Sequence, residues 1–96
     1  VVENSVLFNS VTVEEGADIQ YSILMPGAVV KKGAVVSYAI VAEGAVIEEG
    51  ATVGAPPTDD PDWGIAVVAG GVTVGPKAVI KPSAMIREDV KGGEQA

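Results

Sequence analysis

Large aliphatic residues recur along this chain in steps of five, six and six: Val2, Leu7, Val13; Ile19, Leu24, Val30; Val36, Val41, Ile47; then Val53. The segments VENSVLFNSVTVEEGAD, IQYSILMPGAVVKKGAV and VSYAIVAEGAVIEEGAT, residues 2–18, 19–35 and 36–52, align without gaps at a period of 17. Four residues after each aliphatic stands a second apolar residue. It is larger at Val6, Ile23 and Ile40, and mostly small at Val11, Ala28, Ala45, Ala17, Ala34 and Ala51. No helix has this period, and neither does a simple alternating strand. A fixed repeat of this kind marks a solenoid. The steps suit a chain that makes three short strands per turn, separated by bends, with each turn stacked on the last at about 4.8 Å. The fold class expected is all-β, a parallel β-helix with three strands per coil. Its aliphatics fill a triangular interior, and its alanines sit near the tight corners.

The pattern breaks after Val53 at GAPPTDDPDWG, residues 54–64, and resumes as Val68, Val74, Ile80 and Ile86 in steps of six. The break predicts a loop insert at 54–64 within a β-helix domain covering residues 1–86. It leaves the phase of the fourth coil open. Residues 87–96, REDVKGGEQA, lose the repeat and are expected to form a C-terminal tail, frayed or the stub of a continuing segment. The chain begins at Val1, without Met and already in a strand-like pattern, and reads as a piece cut from something longer.

Charge sharpens the register. A period of 17 puts Glu14, Lys31 and Glu48 in one column, Glu15, Lys32 and Glu49 in the next, and Gly16, Gly33 and Gly50 beside them. Both charged columns alternate in sign. Opposite charges on neighbouring strands attract, whereas like charges facing each other destabilise. Each exposed pair contributes only ~0–1 kcal/mol, but a slip by one coil would set Glu against Glu. Phosphate binding by Lys31 and Lys32 is disfavoured by the four carboxylates around them. A further column, Asn4, Tyr21 and Tyr38, is expected to stack two tyrosines on an outer face, as packing or as a contact surface.

Composition removes several function classes. The formal net charge is −7, with no basic run beyond Lys31-Lys32, which argues against nucleic acid or an anionic membrane surface as partner. The longest nearly apolar run, residues 65–74, is too short to span a bilayer, and no signal peptide is visible. The chain has no cysteine and no histidine. It therefore offers no disulfide, thiolate nucleophile or imidazole ligand, and lacks the commonest general base.

The stretches VEEGAD, VKKGAV, VAEGAV, IEEGAT and VGPKAV resemble the hexapeptide repeat. That resemblance implies a left-handed parallel β-helix, against the right-handed habit of ordinary parallel crossovers. More narrowly, NSVLFNSVTVEEGADIQYSILMPGAVV, VVSYAIVAEGAVIEEGATVG and DWGIAVVAGGVTVG are similar to the C-terminal domain of bacterial glucose-1-phosphate adenylyltransferase, over about residues 2–86. That family forms ADP-glucose from ATP and glucose 1-phosphate for glycogen synthesis, using Mg2+, in the cytoplasm. The resemblance places its chemistry in an N-terminal catalytic domain with a Gly-rich phosphate loop. AGGVTVGP, residues 69–76, has the glycines but lies inside the aliphatic repeat, not at a strand–helix junction. No catalytic, cofactor-binding or metal-binding residue is therefore assigned here. Mg2+ and ATP would belong to the catalytic domain. The partners implied are that domain and further subunits, identical or related, with the β-helix serving assembly and allosteric control. The alternatives are the β-helix of another sugar-phosphate nucleotidyltransferase, such as a mannose-1-phosphate guanylyltransferase, or a non-enzymatic scaffold.

Three smaller features remain. Asp59, Asp60 and Asp62 supply oxygen ligands that suit Mg2+ or Ca2+, but a proline interrupts them, and a solvated loop is the simpler reading. Trp63, the one tryptophan, is expected to anchor the insert on the coil. Ser5, Ser22 and Ser37 have no neighbouring base and are read as turn or ladder hydroxyls.

Overall fold

A computed structural model describes residues 2–96; Val1 lies outside the described residues. The chain winds as a parallel solenoid of three sheets, with no helix among the described residues. The first sheet stacks Val2–Glu3, Asp18–Gln20, Val35–Ser37, Thr52–Val53 and Val79–Ile80. The second stacks Val6–Leu7, Ile23–Leu24, Ala39–Val41, Ala66–Val68 and Met85–Ile86. The third stacks Thr12–Val13, Val29–Val30, Val46–Ile47 and Thr73–Val74. Every pairing is parallel.

The register follows the repeat. Val2 pairs with Ile19, Ile19 with Val36 and Val36 with Val53; Leu7 pairs with Leu24 and Leu24 with Val41. The stacked aliphatics form the core: Ile19, Leu24, Val30, Val36, Val41 and Ile47 are all fully buried. Each contributes on the order of 1.5–3 kcal/mol by leaving water. The alanines expected at the corners, Ala17, Ala28, Ala34, Ala45 and Ala51, are buried beside them.

Step length dictates the bends. In six-residue steps the third residue after the inward aliphatic is left-handed, as at Gly16 (φ 79°), Gly27 (φ 77°) and Lys77 (φ 59°). In five-residue steps it is the second: Asn4 (φ 49°), Tyr21 (φ 49°) and Tyr38 (φ 51°). A left-handed tyrosine costs on the order of 1 kcal/mol. The two rings stack at 4.8 Å with an interplanar angle of 11°, and such a pair returns about 0.5–1.5 kcal/mol. Two such corners cost about 2 kcal/mol or more, so the stack offsets only part of the backbone strain.

The insert settles the fourth coil. Val41 pairs with Val68, Ile47 with Val74 and Val53 with Ile80, so the coil resumes in phase across the loop. Gly54, with φ 74°, starts the excursion, and a Cβ there would run into the Ser37 carbonyl. At the far side the Ser83 N–H donates to the Gly64 carbonyl, and the Ser83 hydroxyl donates to that of Asp62. Trp63 donates from Nε1 to the Ala55 carbonyl at 2.9 Å and meets the Tyr38 ring edge-on, with centroids 5.7 Å apart. The first bond closes the insert on itself; the ring contact with Tyr38 ties it to the coil.

Residues 87–96 continue the winding through isolated bridges. Val90 bridges Val74 and is nearly buried at the end of the core, and Gln95 bridges Val79. Asp89 Oδ1 accepts the Thr73 N–H at 2.8 Å. The aliphatic spacing is lost here, yet backbone pairing persists, because parallel rungs need N–H and C=O groups more than any particular side chain. No helix among the described residues is long and apolar enough to cross a membrane.

Candidate interaction surface

The charged corner and the outer face of the second sheet are the two places where chemistry collects on the surface. At the corner the columns form as the period requires: the Glu14 N–H donates to the Val30 carbonyl, that of Lys31 to Ile47, and that of Glu48 to Val74. One side-chain ion pair closes among the described residues, Lys31 Nζ to Glu48 Oε1 at 3.6 Å, with both side chains about a third exposed. At that exposure it is worth well under 1 kcal/mol. The ladder therefore acts on register more than on stability.

The outer face of the second sheet is different. Its register stacks Val6 on Ile23, Ile23 on Ile40, Ile40 on Val67 and Val67 on Met85. The stripe runs the length of the solenoid without a polar side chain. Val6 is 54% exposed, Ile23 37% and Met85 59%. One residue past the end of each strand a parallel column carries Phe8, Met25, Ala42 and Ala69, ending at Arg87, whose Nη2 lies 3.2 Å from the Met85 sulfur. The other faces are mixed: Asp18, Val35, Thr52 and Val79 on the first, and Thr12, Val29, Val46 and Thr73 on the third. This continuous apolar band is the candidate contact surface.

The sequence held this signal in the size contrast between the fourth-position residues. In a six-residue step, the fourth residue lies two before the next inward aliphatic, so it also points inward and is small except at Val11 and Val72. In a five-residue step it lies one before, so it points outward. Val6, Ile23 and Ile40 are large because they sit outside. On this face the small inward position falls to Ser22, Ala39 and Ala66, all buried. The Ser22 hydroxyl donates to the Gln20 carbonyl at 2.8 Å and accepts the Ala39 N–H at 3.2 Å. Ser5 likewise donates to the Glu3 carbonyl and accepts the Ser22 N–H. The hydroxyls serve the corner backbone.

The insert bonds largely to itself. Asp60 Oδ1 accepts the Asp62 N–H at 2.8 Å, and Thr58 Oγ1 accepts the Asp60 N–H at 3.2 Å. A cleft of about 350 Å³ separates it from Lys81 and Pro82. Among the described residues no group of three or more His, Cys, Asp or Glu is placed to hold a metal ion.

The sequence profile of the GlmU-like, C-terminal hexapeptide family matches residues 1–75. The chain belongs to that family. Its solenoid is the hexapeptide-repeat left-handed β-helix, as the repeat implied. No curated protein sequence matches it significantly. Among solved structures it is similar to a mutant of GDP-perosamine N-acetyl transferase from Caulobacter crescentus, solved with CoA and GDP-perosamine, at 19% identity and a TM-score of 0.40, covering 100% of this chain and 53% of that one. It is also similar to the acetyltransferase domain of PglB from Neisseria gonorrhoeae, at 16% identity and a TM-score of 0.38, covering 95% and 53%. This GlmU-like chain thus spans about half the length of those two proteins.

Proposed function

We propose that this chain is the non-catalytic β-helix module of a sugar-phosphate nucleotidyltransferase. The parent enzyme we assign is glucose-1-phosphate adenylyltransferase, which joins ATP and glucose 1-phosphate into ADP-glucose in the cytoplasm. Mg2+ and ATP would be held by its catalytic domain. The observation that carries the reading is the unbroken apolar band on the second sheet of a chain without histidine or cysteine. Such a surface builds contacts, while the usual acyl-transfer base of hexapeptide enzymes is missing from this chain. The segments SILMPGAVV and DWGIAVV support the adenylyltransferase over its relatives. The module's work is to seat the catalytic domain and neighbouring subunits on flat parallel faces, and to carry effector responses between them.

The protein that carries this chain should form ADP-glucose from ATP and glucose 1-phosphate in a coupled pyrophosphate-release assay, and should not form GDP-mannose from GTP and mannose 1-phosphate. The reverse preference would move it to the guanylyltransferases. Acetyl transfer from acetyl-CoA by the 96-residue chain alone would overturn the non-catalytic assignment.

A further inference from the structure

We infer that two copies of this chain pair face to face across the second sheet, about a twofold axis that runs along the strands at Ile40, with their solenoid axes antiparallel. This rests on the reading of that face as a subunit contact, and fixes its symmetry and register.

Exposure picks the face. Eight large hydrophobic side chains are exposed among the described residues. Val2 and Leu7 belong to the inward columns of the first coil. The other six, Val6, Phe8, Tyr21, Ile23, Ile65 and Met85, lie on the second sheet or on the corner that leads into it.

Charge picks the symmetry. Two facing sheets can be related by a twofold axis along the solenoid or along the strands. Rotation about the solenoid axis keeps each coil against itself and exchanges the two edges of the face. The insert, with Asp59, Asp60 and Asp62, leaves the face at the Tyr38 corner, and the far edge carries Glu43 and Glu88. That rotation sets acid against acid. Rotation about the strand direction keeps each edge against itself and reverses the order of the coils. The insert of the fourth coil then meets the corner of the second, Gln20 to Ser22, which carries no charge. At the far edge Glu88 faces the copy's Asn9, and Glu43 faces its own copy at a rim open to water.

The reversed order also matches the side chains. Val6 meets the copy's Met85, Ile23 meets Val67, and Ile40 meets itself on the axis. In the Phe8 column the long Met25 falls on the short Ala69. Phe8 falls on the copy's Arg87, whose guanidinium already lies against the Met85 sulfur at the end of the band. A guanidinium is attracted to the face of an aromatic ring, and symmetry makes this contact twice. The face measures roughly 20 by 15 Å in outline, well short of the about 800 Å² per partner of a standard stable interface. Two net charges of −7 also repel each other. The chain by itself therefore pairs weakly, at high concentration, and pairs more tightly as salt screens that repulsion.

The test exploits the absence of cysteine. Facing sheets stand about 10 Å apart, beyond the reach of a disulfide, so the probe is a bismaleimide linker of about that span. Ile40→Cys should link to itself. Val6→Cys and Met85→Cys should each fail to link alone, because equivalent residues lie four rungs, about 19 Å, apart along the face. Mixed, the two should link. Ile40→Asp should weaken self-association at least about tenfold in sedimentation of concentrated samples. Mixing it with Ile40→Lys should restore pairing, which shows that neither variant acts by unfolding the chain. Val6→Cys linked to itself, as parallel solenoid axes would give, would overturn the proposal. So would no link at Ile40→Cys, or no gain on mixing Val6→Cys with Met85→Cys. These links in a chain whose parent makes no ADP-glucose would sink only the adenylyltransferase assignment. ADP-glucose synthesis by a parent whose β-helix gives none of them would sink only the pairing.

Discussion

Ile40 and Val41 are adjacent, aliphatic and part of the same strand, Ala39–Val41. Val41 is fully buried, stacked between Leu24 and Val68, whereas Ile40 is half-buried on the outer band between Ile23 and Val67. The same hydrocarbon therefore does two jobs, one residue apart. Inside, it holds the coil together; outside, it prepares a surface for something else. Hydropathy alone does not distinguish them, because the pleat decides which side faces the axis.

The sharpest way to break this comparison is a paired substitution. Val41→Asp should leave the chain unfolded or lower its stability by on the order of 4 kcal/mol or more, since an unpaired carboxylate would sit in the core. Ile40→Asp should change stability by only about 0.5 kcal/mol. Urea unfolding followed by far-UV circular dichroism separates the two. Similar losses at both sites would mean that the band is part of the core. A milder inner probe, Ile47→Ala, should cost about 2–5 kcal/mol, read in the same titration.

The insert tests the comparison at the corner. Trp63→Ala removes the bond to Ala55 and the edge contact with Tyr38, and should cost about 1 kcal/mol. Limited proteolysis should then cut within residues 54–64 while the β-sheet signal persists. Collapse of that signal would show that the coils depend on the loop. The smallest effect is expected at the charged corner. Lys31→Glu would line up three carboxylates with Glu14 and Glu48, for a loss of about 0.5 kcal/mol that shrinks as salt is added. A loss unaffected by salt would assign Lys31 a packing role instead.

Much of the coil was legible from the chain. Its inward residues are branched hydrocarbons at fixed intervals, and stacking of identical rungs propagates one register from Val2 to Val53. The charge columns and the Tyr21–Tyr38 stack follow from that period. The interaction band was present in the letters but hidden, because a four-residue offset was read as one class when it holds two. The path after Val53 was not legible. Steps of six on both sides of the insert fit more than one phase, and only the pairing of Val41 with Val68 fixed it.

The sequence by itself determined the repeat, and with it three strands per coil and a filled aliphatic axis, because these depend on spacing between near neighbours. Tertiary structure alone decided two things: the contacts by which the insert docks, on Tyr38 and Ser83, and the capture of Val90 at the end of the core. Both join residues whose separation along the chain lies outside the 17-residue period, so contact in space, and not interval in sequence, brings them together.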